Sequence, residues 1–168
     1  QIRIDSLRMI YESGGAHLGS CLSVADILAV LYSDILKPED KVIFSKGHAA
    51  AAFYSVLART GVIDPELLNT YGKPGSKLMG CVSHEVPGVL LSTGSLGHGL
   101  PVACGMALAM RGKIGRVYCI MSDGEMDCGT TWESARFANA NNIDNLTGIV
   151  DLNGWQACKK TSQILGAC

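Results

Sequence analysis

Two short apolar runs in this 168-residue chain each end in an oxygen-bearing side chain. Val117 to Met121 leads into Ser122-Asp123-Gly124, and Leu146 to Val150 leads into Asp151-Leu152-Asn153-Gly154. A carboxylate and an amide carbonyl are hard donors, suited to Mg2+ or Ca2+ rather than to a thiophilic metal. Mg2+ takes one or two such groups and completes its shell with waters and phosphate oxygens. The main-chain carbonyl of Trp155 could add a further oxygen. Gly124 lets the chain turn with no side chain over an anion, and main-chain N–H groups there can cradle phosphates. Either feature alone is as readily a capped loop or an ordinary turn. At matching strand ends, thirty residues apart, they point to one metal–phosphate site.

The elements that must position these residues follow from the same stretch. The Val117 run is short and partly β-branched, as expected of a strand buried on both faces. Thr130 with Glu133 three residues on predicts a capping box for a helix through about Asn141. Strand, helix and strand then make a βαβ unit with Asp123 and Asn153 just past the carboxyl ends of parallel strands, where open α/β sheets bind ligands. Upstream, Ile2 to Glu12 reads as a helix and Ser13 to Gly19 as a glycine-rich loop. Ser23 with Asp26 predicts a capped helix through about Ile35. Val42-Ile43-Phe44 is a short buried strand, followed by an alanine-rich helix stopped at Gly61. Asp64-Pro65 starts another short helix. Residues 72 to 95 form the longest loop, a length usually functional or flexible. A helix from Leu96 or Pro101 then runs to about Met110. Length fits one domain, 1–168, and the chain begins at Gln1 without methionine, so an upstream segment is expected to be missing.

Net charge is −1 with no basic run, which offers no footprint for nucleic acid or an anionic membrane. No uninterrupted apolar stretch of membrane-spanning length is read from the sequence. The seven cysteines, at 21, 81, 104, 119, 128, 158 and 168, include no C-x-x-C pair. They are expected to be mostly buried small hydrophobes in a reducing cytosol. The four histidines, His17, His48, His84 and His98, lie beside glycine or in loops. A lone loop histidine is more often solvated than functional.

These residues carry a family resemblance. The segment SDGEMDCGTTWESARFANANNIDNLTGIVDLNGWQA resembles the thiamine diphosphate motif, which begins Gly-Asp-Gly and ends in Asn about thirty residues later. AHLGSCLSVADILAVLY, IFSKGHAAAAFYSVLARTG and PGVLLSTGSLGHGLPVACGMALAM resemble transketolase blocks in the same order. The resemblance is to the N-terminal, diphosphate-binding subunit of a split transketolase-like enzyme. It implies an α/β thiamine diphosphate-binding fold, a mostly parallel sheet with helices on both faces. It implies transfer of a two-carbon ketol unit from a ketose (phosphate) to an aldose (phosphate), with thiamine diphosphate and Mg2+ or Ca2+ as cofactors.

By the same resemblance Asp123, Asn153 and Trp155 would hold the metal. His48, Gly94, Ser95, Leu96, Asp123, Gly124, Glu125 and Asn153 would contact the cofactor, and His17, His48 and His84 would handle substrate and protons. No residue here matches the family's pyrimidine-protonating glutamate. The resemblance therefore implies a C-terminal pyrimidine-binding partner subunit, with a homodimer of this chain inside a cytoplasmic heterotetramer. Ser122 stands for the motif's first glycine, Cys128 for an interface glutamate, Cys81 for a substrate-facing histidine and Leu18 for a proline. Two alternatives stay open: another thiamine diphosphate reaction such as 1-deoxyxylulose phosphate synthesis, and a non-catalytic subunit that stabilises an active partner.

Overall fold

The computed structural model describes residues 1–165; Cys168 lies outside the described residues. Its residues cluster in two compact units that interleave in sequence: Gln1–Leu36 with Gly47–Gly94, and Lys37–Lys46 with Ser95 onward.

The first unit is helical. α1 (Ile2–Ser13) and α2 (Leu18–Val30) pack on α3 (Ala50–Arg59), which is buried along almost its whole length from Ala50 to Ala58. Three consecutive alanines at its start let neighbouring backbones approach, while Met9, Ile10, Val24, Leu28, Phe53 and Leu57 fill the interior. α1 stops at Gly14, whose left-handed φ of 64° turns the chain back so that Gly15 N–H bonds the Ile10 carbonyl at 3.0 Å. Asp5 cross-links α1 to α3, accepting from Ser55 Oγ at 2.7 Å and from Arg59 Nε at 2.9 Å.

α2 corrects the sequence reading. It starts at Leu18, not after Ser23, and continues as a π-helical turn through Leu31–Ile35. Ser23 is inside the helix with its hydroxyl bonded to the Ser20 carbonyl, and Asp26 pairs with Arg3 instead of closing a capping box. The whole run Leu18–Ile35 is long and apolar enough to cross a membrane by length and composition, contrary to the expectation that none would be. Its Cys21, Val24, Ala25 and Leu28 are buried and form one face of the helix, while most of the run is not buried. As expected, Asp64 caps the short 3-10 stretch Pro65–Thr70, accepting from Glu66 N–H at 2.9 Å. Among the described residues, no helix or strand occurs from there to Gly99.

The second unit holds a parallel sheet in the order β1 (Lys41–Phe44), β2 (Val117–Ser122), β3 (Leu146–Asp151). Every residue of the central β2 is buried, as the apolar run requires. Ile120 pairs with Phe44 on one side and Ile149 on the other, and β3 runs on to Asp151 opposite Ser122. α4 (Gly99–Ala109) lies on all three strands, and α5 (Gly129–Ala140) makes the β2–α5–β3 crossover read from the sequence. Thr130 does not cap α5. It sits inside the first turn, and its hydroxyl donates to the Gly97 carbonyl at 2.9 Å. Beyond β3, β4 (Trp155–Gln156) and β5 (Lys159–Lys160) form a small antiparallel hairpin.

Candidate functional site

In the second unit the sheet delivers Asp123 and Asn153 to one place. Asp123 follows the last residue of β2 and is fully buried. Its Oδ1 accepts from Gly124 N–H at 3.0 Å. Its Oδ2 accepts from Gly154 N–H at 2.7 Å and from the Thr161 hydroxyl at 3.0 Å. The peptide that follows Asn153 therefore lies directly against the Asp123 carboxylate. Thr161 N–H closes the base of the β4–β5 hairpin on the Gly154 carbonyl at 3.0 Å. Asn153 Oδ1 accepts from Trp155 N–H at 2.8 Å, a local turn that curls the main chain around the amide. Gly124 is crowded: a Cβ there would sit 3.0 Å from Gln156 Cγ.

Glu125, one residue on, is also fully buried, and both its oxygens are engaged by protein donors. Oε2 accepts from Ser122 N–H at 2.9 Å, and Oε1 accepts from Gly97 N–H at 3.0 Å and from the Ser45 hydroxyl. Ser95 and Leu96 precede that bonded Gly97. Beneath the same strand ends, the Lys46 ammonium, wholly buried, pairs with the buried Asp151 carboxylate. The pair ties the end of β1 to the end of β3. Neither this pair nor the hub at Glu125 was legible from spacing, although a lysine buried two residues after a strand end needs a carboxylate. Cys128 packs on Gly97, where a Cβ would meet Cys128 Cβ at 2.8 Å. Burial, then the Glu125 and Asp127 carboxylates, push the Cys128 thiol up, so it is protonated at neutral pH and a poor nucleophile.

In the first unit, His17 and His48 come together with ring centroids 5.3 Å apart in an edge-on arrangement. His17 holds a left-handed φ of 67° at the start of α2, a conformation that costs about 1 kcal/mol or more for a residue other than glycine. His48 lies in a 3-10 turn after Gly47. A Cβ on Gly47 would fall 2.4 Å from the Thr93 carbonyl oxygen, so Gly47 and Thr93-Gly94 are pressed together and only glycine fits. Val82 N–H bonds the Gly47 carbonyl at 3.1 Å, and Thr93 N–H bonds the Val82 carbonyl at 3.3 Å. Cys81 is exposed, with its sulfur 3.1 Å from where a Gly94 Cβ would be. His84 is exposed and its Nδ1 is 2.7 Å from Ser92 Oγ; His98 precedes α4 and is exposed.

Among the described residues no three His, Cys, Asp or Glu side chains cluster as a metal site. The Asp123 surroundings offer instead a carboxylate, an amide and main-chain oxygens, a donor set that fits a hard divalent cation bound together with phosphate oxygens.

Comparison with known proteins decides the family. The model for the transketolase, thiamine diphosphate binding domain matches residues 1–164. The chain belongs to the transketolase family. It is 43% identical over 163 residues to one subunit of an apulose-4-phosphate transketolase from Actinobacillus succinogenes, covering 90% of this chain and 59% of that protein. It is 38% identical to a 6-deoxy-6-sulfo-D-fructose transketolase subunit from a Clostridium species, covering 97% and 64%. Human transketolase is 39% identical over 91% of this chain and 26% of its own length. The transketolase crystal structure from Campylobacter jejuni superposes with a TM-score of 0.88 at 27% identity, over 98% of this chain and 29% of that one. This transketolase-family chain thus has an α/β fold and a thiamine diphosphate-binding domain, and it spans about three fifths of the subunit-length relatives it matches.

Proposed function

We propose that this chain is the metal- and diphosphate-binding part of a transketolase-like enzyme that moves a two-carbon ketol unit from a ketose, phosphorylated or not, to an aldose. The observation that carries the reading is the 2.7 Å hydrogen bond from Gly154 N–H to Asp123 Oδ2, which joins the two ends of the motif at a buried carboxylate. Asp123, Asn153 and the Trp155 carbonyl are the residues that would hold Mg2+. Gly124, Gly94, Ser95, Leu96 and His48 would line the cofactor. When bound, thiamine diphosphate supplies the electron sink for carbon–carbon bond cleavage. His17 and His48, held ring against ring, serve as hydrogen-bond donors and proton carriers for substrate hydroxyls, a task that imidazole near neutral pH performs well. His84, turned to Ser92, would act at the outer end of the substrate.

The remainder of the enzyme is a C-terminal pyrimidine-binding subunit, with two copies of each chain in a cytoplasmic heterotetramer. The names of the subunit relatives support such a division of labour. Calorimetric titration of the chain plus this partner with thiamine diphosphate and Mg2+ tests the proposal. Wild type binds only with the metal present, and Asp123→Ala abolishes binding. Unchanged affinity in that variant refutes the metal assignment. Product analysis with ketose against pyruvate donors separates ketol transfer from a 1-deoxyxylulose phosphate-type synthesis.

A further inference from the structure

We infer that Glu125 is a positioning residue: one buried carboxylate that locks the Ser95–Gly97 segment and the Asp123 turn into a single frame. The inference rests on the reading just given for those two segments, but its structural core stands on contacts within the second unit alone. Glu125 is wholly inaccessible to solvent, so a role as a direct contact to cofactor would leave its present donors behind. Those donors come from three separate stretches: Ser45 after β1, Gly97 before α4, and Ser122 at the end of β2. Each stretch leads straight into or out of residues assigned to the cofactor.

The frame has little slack. Gly97 is gripped on both sides of its own residue, N–H to Glu125 at 3.0 Å and C=O from Thr130 at 2.9 Å. Its φ of 81° and the 2.5 Å that would separate a Cβ from Thr130 Oγ1 permit only glycine. Ser45 Oγ relays the same carboxylate to Gly99 N–H at 3.1 Å, the first residue of α4, and a Cβ on Gly99 would strike Ser45 Cβ at 2.3 Å. A carboxylate, with two acceptor oxygens and no N–H of its own, is the one group that can accept from all of these at once. An amide cannot. Oε1 accepts from Gly97 and Ser45 while Oε2 accepts from Ser122, so either orientation of a glutamine places an NH2 against a main-chain N–H.

The test is Glu125→Gln, with Asp5→Asn as a control that weakens the first unit and touches neither segment. Amide hydrogen exchange on the chain reads the frame directly. Exchange at Gly97 or Ser122 is expected to speed up about tenfold or more relative to Cys119 in β2, as one buried hydrogen bond is lost. Calorimetry with the partner subunit, thiamine diphosphate and saturating Mg2+ reads the positioning. The dissociation constant is expected to rise about tenfold in Glu125→Gln and to stay unchanged in Asp5→Asn at a matched loss of thermal stability. Retained protection at both amides overturns the inference, as does a cofactor affinity that moves no more than in the control. Should Glu125→Gln not fold, Ser45→Ala reports through the Gly99 amide and an affinity loss of about threefold, and no change in either refutes it. A wild type that binds no thiamine diphosphate sinks the proposed function, while the exchange data still decide whether the frame exists.

Discussion

Replacing Lys46 with methionine breaks the buried ion pair with Asp151 and is expected to be strongly destabilising. Lys46 is 0% exposed, and the side chain of its partner Asp151 is 7% exposed. Methionine fills a similar volume but leaves a buried carboxylate without its cation. Breaking such a pair by removing one partner costs about 3–5 kcal/mol. Unfolding entropy near 60 °C is about 2.1 cal/mol/K per residue, so for 168 residues it comes to about 350 cal/mol/K. A loss of about 4 kcal/mol then lowers Tm by about 11 °C. The double variant Lys46→Met/Asp151→Leu removes both charges, and its stability is expected to return to within about 1 kcal/mol of wild type or to exceed it. Urea denaturation followed by circular dichroism on the four members of the cycle measures the coupling. A single variant that costs less than about 1 kcal/mol, or a double variant no better than the worse single, refutes the reasoning.

Three further outcomes follow from particular contacts. Gly47→Ala drives a methyl into the Thr93 carbonyl, which is backbone and cannot swing aside, so about 2–3 kcal/mol of stability is lost and the His48 turn shifts, visible in the His48 ring resonances. Asp5 is raised by burial but lowered by more through bonds from Ser55, Gln1 and Arg59, so its folded pKa lies below the ordinary value. Its ionised form therefore stabilises the fold above about pH 3.9, and that stability drains away as pH falls through the depressed folded value. Asp5→Asn should flatten the stability–pH slope in that acid window and leave the neutral range parallel to wild type, as followed by thermal melts between about pH 2 and 6. Cys128, held protonated by burial and by neighbouring acids, should react with a thiol reagent at neutral pH more slowly than exposed Cys158 does; mass spectrometry of partially labelled chain checks the order.

The sequence made the β2–α5–β3 unit legible because a strand buried on both faces must be continuously apolar, and Val117 to Met121 is. It made Asp123 and Asn153 legible because each follows a strand-like run in that unit, although β3 is only partly buried. Local signatures failed where a long-range partner took the side chain. Thr130 with Glu133 has the pattern of a capping box, yet Thr130 reaches across to Gly97. Ser23 with Asp26 has the same pattern, yet Asp26 turned to Arg3, and α2 had already begun at Leu18. Nothing in the spacing of Ser45, Gly97, Ser122 and Glu125 foretells that they meet, because three of the four contribute hydrogen-bonding groups common to any residue or any serine. Their meeting is a consequence of where the strands end.

The central claim is that Asp123 and Asn153 share one divalent cation. Mn2+ in place of Mg2+, added with thiamine diphosphate to the isotope-labelled complex, tests it most directly, since a paramagnetic ion broadens nearby resonances. Selective loss of the Gly124 and Gly154 amide signals and of the Asn153 side-chain amide is predicted, with none of this in Asp123→Ala. Mn2+ bound to the complex with those three signals left sharp would contradict it.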